Sequence, residues 1–158
     1  MEITRQADYA VRAVLDLALQ PEGERALSEE IARRQSIPTA FLTKILARLA
    51  AERIVTTQRG VSGGIRLARL AGEISLLDVI EAIDGPITLN RCMLRPAECP
   101  RDTTCVVHPV WVEIRAELRT RLAGVTFAIL ADAARSSQSH SFVPLNQIHS
   151  ISQEATIR

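Results

Sequence analysis

Residues 28–67 read SEEIARRQSIPTAFLTKILARLAAERIVTTQRGVSGGIRL, and their order decides the fold. Ser28 followed by Glu29 and Glu30 reads as a helix cap with acids in the first turn, where the helix dipole favours negative charge. It predicts a short helix over residues 28–35. Ser36-Ile37-Pro38 breaks that pattern, and Pro38 suits the first position of a new helix over 38–53. This helix carries Leu42, Ile45, Leu46 and Leu49 on one face. Its other face presents Ala40, Thr43, Lys44 and Ala47, with Arg48 beside them. Two short β-prone runs follow, Ile54-Val55-Thr56-Thr57 and Ile65-Arg66-Leu67, joined by the glycine-rich Arg59–Gly64 segment, which is the pattern of a hairpin.

Working outward, Thr4 is placed to cap a helix whose apolar face runs Ala7, Ala10, Val11, Val14, Leu15 and Ala18, ended by Pro21 and Gly23. Helix, helix, short turn, helix and hairpin make a winged helix-turn-helix, whose third helix enters the major groove. Downstream, Ser75 caps a helix with Leu76, Val79, Ile80 and Ile83 inward, stopped by Gly85-Pro86. A longer helix is predicted from about Pro109, with a stripe of Trp111, Ile114, Leu118, Leu122, Val125 and Ile129 close to a heptad seam. Such a stripe on a small domain calls for a partner, and a second copy of the chain is the simplest. The expected fold class is mainly α. A winged helix-turn-helix DNA-binding domain with a two-stranded wing covers 1–72, and a cysteine loop with a long dimerisation helix covers 73–134. The polar remainder, 135–158, reads as a disordered tail.

The composition narrows the function. A chain of 158 residues corresponds to one compact domain, at roughly 150 residues per domain. Hydrophobic residues make up 47% and charged residues 23%, which excludes a mostly disordered protein. No apolar run approaches the roughly 18 residues that span a bilayer. The opening MEITRQADYAVRAV carries Glu2 and Asp8 and lacks a secretion-signal layout, so a cytoplasmic location is expected. Aromatics are only 3%, which argues against a stacking platform for single strands. Residues 1–70 hold 11 cations against 8 anions, net +3, while 71–158 hold 8 against 10, net −2. All the cations but Lys44 are arginine, whose planar fork suits phosphate and guanine.

Three cysteines lie close together, in the spacing Cys92-x6-Cys99-x5-Cys105-x2-His108. Without a secretion signal, such clustering favours metal or redox chemistry over disulfides. Thiolates prefer zinc, copper(I) or iron–sulfur clusters, and a Cys3His set serves zinc as well as it serves a cluster. Unligated thiols are the bland alternative. A thiol enzyme using Cys105 and His108 as nucleophile and base would need an oxyanion-stabilising motif, and none accompanies the pair, so no enzyme is expected.

The opening MEITRQADYAVRAVLDLAL, the wing RGVSGGIRLA, and IDGPITLNRC followed by two more cysteines resemble the Rrf2 family of bacterial transcription regulators, with its IscR-, NsrR- and RirA-like members. The resemblance covers residues 1 to about 134. It implies a homodimeric winged-helix repressor or activator of operator DNA. It further implies that Cys92, Cys99 and Cys105 hold a [2Fe-2S] or [4Fe-4S] cluster whose state sets operator affinity. His108 stands where IscR-like members have a ligating histidine. Asp8 stands where NsrR-like members supply a carboxylate from the other subunit. The six residues between Cys92 and Cys99 exceed the usual number in either pattern, so cluster type does not carry over.

For DNA, Thr39, Ala40, Thr43 and Lys44 are the candidates to meet base edges from the start of the third helix. Thr43 replaces a glutamate that tunes site choice in IscR. Arg59 and Ser62 belong to the wing, and an arginine there suits a narrow minor groove. Arg33 and Arg34 are the expected phosphate contacts.

Overall fold

The computed structural model describes residues 3–60, 63–90, 93, 101 and 104–137. Its elements run α1 (Arg5–Leu19), α2 (Ser28–Gln35), α3 (Thr39–Ala51), β1 (Val55–Gln58), β2 (Gly64–Leu67), a 3-10 turn (Ala71–Glu73), α4 (Leu76–Asp84), α5 (His108–Ala123) and α6 (Phe127–Ser137). The mainly helical winged helix-turn-helix is as expected.

Helix α1 is the centre of the fold. The Thr4 hydroxyl caps it, accepting from the Ala7 N–H at 3.2 Å, and donates in turn to Asp84 at 2.6 Å, at the end of α4. Ala7, Ala10 and Ala13 are fully covered, so neighbouring helices approach the α1 backbone closely. Helices α2, α3, α4 and α6 all pack on it.

Helix α2 starts differently from the sequence expectation. Leu27, not Ser28, occupies the N-cap, and the Glu30 carboxylate reaches back to accept from its N–H at 3.1 Å. The same substitution of position holds at α3, where Pro38 is the cap and Thr39 the first helical residue. Both helices end in a left-handed residue, Ser36 (φ 52°) and Arg53 (φ 54°). In each case the next residue, Ile37 or Ile54, is buried and its N–H bonds back five residues, to Ala32 and Leu49 respectively. These are Schellman closures, which satisfy last-turn carbonyls while driving an apolar side chain into the core.

Strands β1 and β2 pair antiparallel with Val55 opposite Leu67 and Gln58 opposite Gly64. Ala26 adds a bridge to Ile65 through two 2.9 Å hydrogen bonds, tying the α1–α2 connection to the wing. The cap expected at Ser75 is present, and Asp78 completes it as a capping box.

The single long helix expected from Pro109 is instead two. Gly124 ends α5, and the chain then pairs with the start of α4: Leu76 donates to the Val125 carbonyl and Phe127 to that of Ile74. This pairing turns the chain and sends Phe127 into the core, where it is completely buried. Arg135–Ser137 complete α6, where the sequence predicts the start of a tail; the rest of that segment, 138–158, lies outside the described residues. The main core crosses residue 72, since Ile74, Val79, Ile83, Phe127 and Ala131 join the side chains of α1, α2 and α3. Among the described residues, no helix is long and apolar enough to cross a membrane.

Phe127→Ala is expected to cost about 3–5 kcal/mol of unfolding free energy, measured by urea denaturation, because the ring is fully buried in the main core. A loss below about 1 kcal/mol would remove this ring from the core.

Candidate nucleic-acid interface and cysteine segment

The outward face of α3 carries Thr39, Ala40, Thr43 and Lys44, all exposed, while Leu42, Ile45, Leu46 and Leu49 anchor the inward face. The sequence-predicted base readers therefore share one accessible surface. The Thr43 hydroxyl donates to the Thr39 carbonyl at 3.0 Å, leaving its lone pairs as acceptors. Lys44, Arg33, Arg48 and Arg59 are exposed and form no ion pair among the described residues.

In the wing, Arg59 follows β1 directly. Gly60 takes φ 105° and its carbonyl accepts from Gly63 at 2.8 Å. A Cβ at Gly63 would come within 2.5 Å of the Gln58 carbonyl oxygen, so the turn requires glycine there. Ser62 lies outside the described residues.

Arg34 is placed differently from its neighbour. Its Nη2 and Nε reach the Asp16 carboxylate at 2.7 and 2.9 Å, and the Gln35 amide donates to the same group at 3.0 Å. Asp16 is only 3% exposed. The carboxylate's hydrogen bond holds the Arg34 guanidinium above its ordinary pKa. A guanidinium committed to a buried carboxylate braces α2 against α1 and has less to offer a phosphate than Arg33. No local signal in the sequence marks this pair, because its two members lie 18 residues apart.

Asp8 is exposed and bound by Arg12 at 2.7 Å. Arg12 also donates to the Gln35 carbonyl at 3.1 Å and lies 5.0 Å from the centre of the Tyr9 ring. Tyr9 meets Phe41 edge-on, 6.2 Å between ring centres, so the start of α1 is joined to the first turn of α3.

Of the four mid-chain donors, Cys92 and Cys99 lie outside the described residues. Cys105 is a half-buried free thiol just ahead of α5, and half-buried His108 is the first residue of that helix. Val107, not His108, holds the N-cap position, with no side-chain cap and no acid in the first turn. A thiol and an imidazole are both metal-ligand types; among the described residues, no group of three or more His, Cys, Asp or Glu is placed to hold a metal ion.

The Rrf2 family model, described as an iron-dependent transcriptional regulator, matches residues 3–133. The chain belongs to the Rrf2 family. As an Rrf2 protein it is a DNA-binding transcription regulator and not an enzyme. It is 37% identical over 134 residues to Rv1287 of Mycobacterium tuberculosis (strain ATCC 25618 / H37Rv), whose name places it among HTH-type transcriptional regulators; 85% of this chain and 83% of that one are covered. It is 31% identical over 130 residues to the HTH-type transcriptional regulator IscR of Vibrio atlanticus (strain LGP32), covering 82% and 75%. Among solved structures, CymR (YrzC), the global cysteine regulator of B. subtilis, shares the fold with a TM-score of 0.70 at 23% identity, covering 84% of this chain and 97% of that one. IscR of T. potens shares it with a TM-score of 0.68 at 22% identity, covering 93% and 96%.

Two arginines that are adjacent in this Rrf2 chain should separate on mutation. Arg34→Ala is expected to cost about 2 kcal/mol of stability, below the usual loss for a broken buried pair because Arg34 is one-third exposed. Arg33→Ala should change stability by less than about 0.5 kcal/mol and weaken DNA binding instead. Lys44→Ala and Arg59→Ala should each cost about 1–3 kcal/mol in operator affinity if they reach a base edge. Fluorescence anisotropy with a duplex selected from a random-sequence pool checks this, and unchanged affinity in both would move recognition off α3 and the wing.

Proposed function

We propose that the chain acts as a homodimer whose operator affinity is controlled by an iron–sulfur cluster, [2Fe-2S] or [4Fe-4S], on Cys92, Cys99, Cys105 and His108. What supports this reading is the donor chemistry: half-buried Cys105 and His108 lead into α5, and Cys92 and Cys99 precede them in sequence. When bound, the cluster supplies a centre that responds to iron supply, nitric oxide or redox state. The chain's own part is to hold that centre and register its presence. Four donors between residues 92 and 108 restrict a segment that joins α4 to α5. Thr39, Ala40, Thr43 and Lys44 read the operator's bases. Arg59 and Ser62 supply the wing contacts, and Arg33, with what Arg34 can spare, meets phosphate. The proteins work in the cytoplasm, where the DNA is.

His108 is the better fourth ligand than Asp8. Recruiting Asp8 would break its pair with Arg12 and disturb the Tyr9–Phe41 contact, whereas no hydrogen bond of the described residues holds the His108 side chain. The second copy is called for by α5, which has no buried residue in the single chain and exposes Val110, Val112 and Ile114 at 47%, 47% and 41%. A cluster-free reading keeps the winged helix with a structural zinc on the same donors, as a Cys3His set allows.

Protein purified without oxygen should be coloured and contain iron and acid-labile sulfide. Cys92→Ala, Cys99→Ala and Cys105→Ala should each lose the visible absorption, while Asp8→Ala keeps it and His108→Ala shifts it. Full colour in all three cysteine variants would remove those ligands, and zinc without sulfide would favour the structural-metal reading.

A further inference from the structure

The outward side of α3 has little with which to hydrogen-bond. From Phe41 to Ala47 the exposed side chains are Phe41, Thr43, Lys44 and Ala47. The Thr43 hydroxyl spends its hydrogen on the Thr39 carbonyl at 3.0 Å, so it offers a methyl group and acceptor lone pairs. Lys44 is left as the one free side-chain donor of this stretch. Ala40, exposed just ahead of it, presents only a methyl group.

Among the described residues, Phe41 is the one exposed aromatic, with 43% of its surface open. The core does not call for it, since Leu42, Ile45, Leu46 and Leu49 fill the inward face of α3. The ring is nonetheless held in place. It meets Tyr9 edge-on, 6.2 Å between ring centres, a favourable aromatic geometry. Tyr9 lies under the Arg12 guanidinium at 5.0 Å, and Arg12 is fixed in turn by the Asp8 carboxylate and the Gln35 carbonyl. This support covers one part of the Phe41 ring and leaves the rest open beside Ala40, one helical turn ahead of Lys44.

In the major groove, base pairs differ in their donors and acceptors and in one apolar mark, the C5-methyl of thymine. A surface rich in methyl and aromatic groups and poor in donors matches that mark. We infer that Phe41 is a specificity-determining residue whose ring covers a thymine methyl, with the methyl groups of Ala40 and Thr43 beside it. This rests on the reading that the start of α3 enters the major groove. The preferred half-site then has a thymine under the first turn of α3. A purely bracing role for Phe41, through Tyr9, lowers stability and leaves the value of that methyl unchanged.

The test uses the full chain and a duplex selected from a random-sequence pool, with each thymine replaced in turn by deoxyuridine. The replacement removes the methyl group and leaves the O4 acceptor and the base pairing. Affinities are read by fluorescence anisotropy at one salt concentration, which keeps the phosphate contribution constant. Wild-type protein should bind about fourfold more weakly when the methyl is lost at one thymine position of a half-site, the worth of one buried carbon. In Phe41→Ala, the thymine and deoxyuridine duplexes should bind equally at that position. Phe41→Leu keeps an apolar group and should keep most of the preference. Both duplexes meet the same protein, so a poorly folded fraction cancels from the ratio. An undiminished preference in Phe41→Ala, or indifference of the wild type to deoxyuridine at every position, overturns the proposal. Lys44→Ala separates the two ways of failing. Weakened binding by Lys44→Ala, beside that indifference, removes the role of Phe41 and keeps α3 in the groove. Wild-type binding by Lys44→Ala, with the same indifference, removes α3 itself.

Discussion

The buried Asp16 carboxylate sets the frame on which the rest of the molecule is arranged. An unpaired charge in an apolar interior is strongly unfavourable, so the acid demands partners, and the last turn of α2 supplies them. Arg34 and Gln35 do so together. That requirement fixes where α2 stops. The left-handed Ser36 and the buried Ile37 then fix the direction in which α3 leaves. The direction of α3, the proposed recognition helix, is thereby tied to a charge on α1.

Much of this was legible in the residues. Thr4, Ser75 and the stripes of α1, α3 and α4 mark their helices because capping and burial are local and periodic. The wing was legible for the same reason, since its glycines are demanded by the backbone. The misreadings share a physical origin in contacts between residues distant in sequence. The long stripe through Val125 looked continuous because its spacing is, but Gly124 and the pairing of residues 125–127 with α4 divide it. Arg34 looked like a free cation because its partner lies 18 residues away. At the candidate site, the outward placement of Thr39, Ala40, Thr43 and Lys44 follows from helical period alone. The cysteines offer no such reading, because residues 90–108 carry no period.

The main core runs without a break from α1 through α4 to α6, and among the described residues α5 packs against α4 through Leu118 and Leu122. On the proposed reading, recognition falls to the rigid part, because base contacts tolerate little displacement of α3, and response to the segment that leads into α5, where exposed Val110, Val112 and Ile114 suit a second copy. Helix α4 packs on both the main core and α5.

The most direct measurement is the affinity of a single anaerobic preparation for its selected duplex, before and after its iron and sulfide are stripped. The account predicts a change of roughly 5–150-fold, the span usual for coupling between two sites. Equal affinities before and after stripping, in protein shown to have carried one cluster per chain, would contradict it.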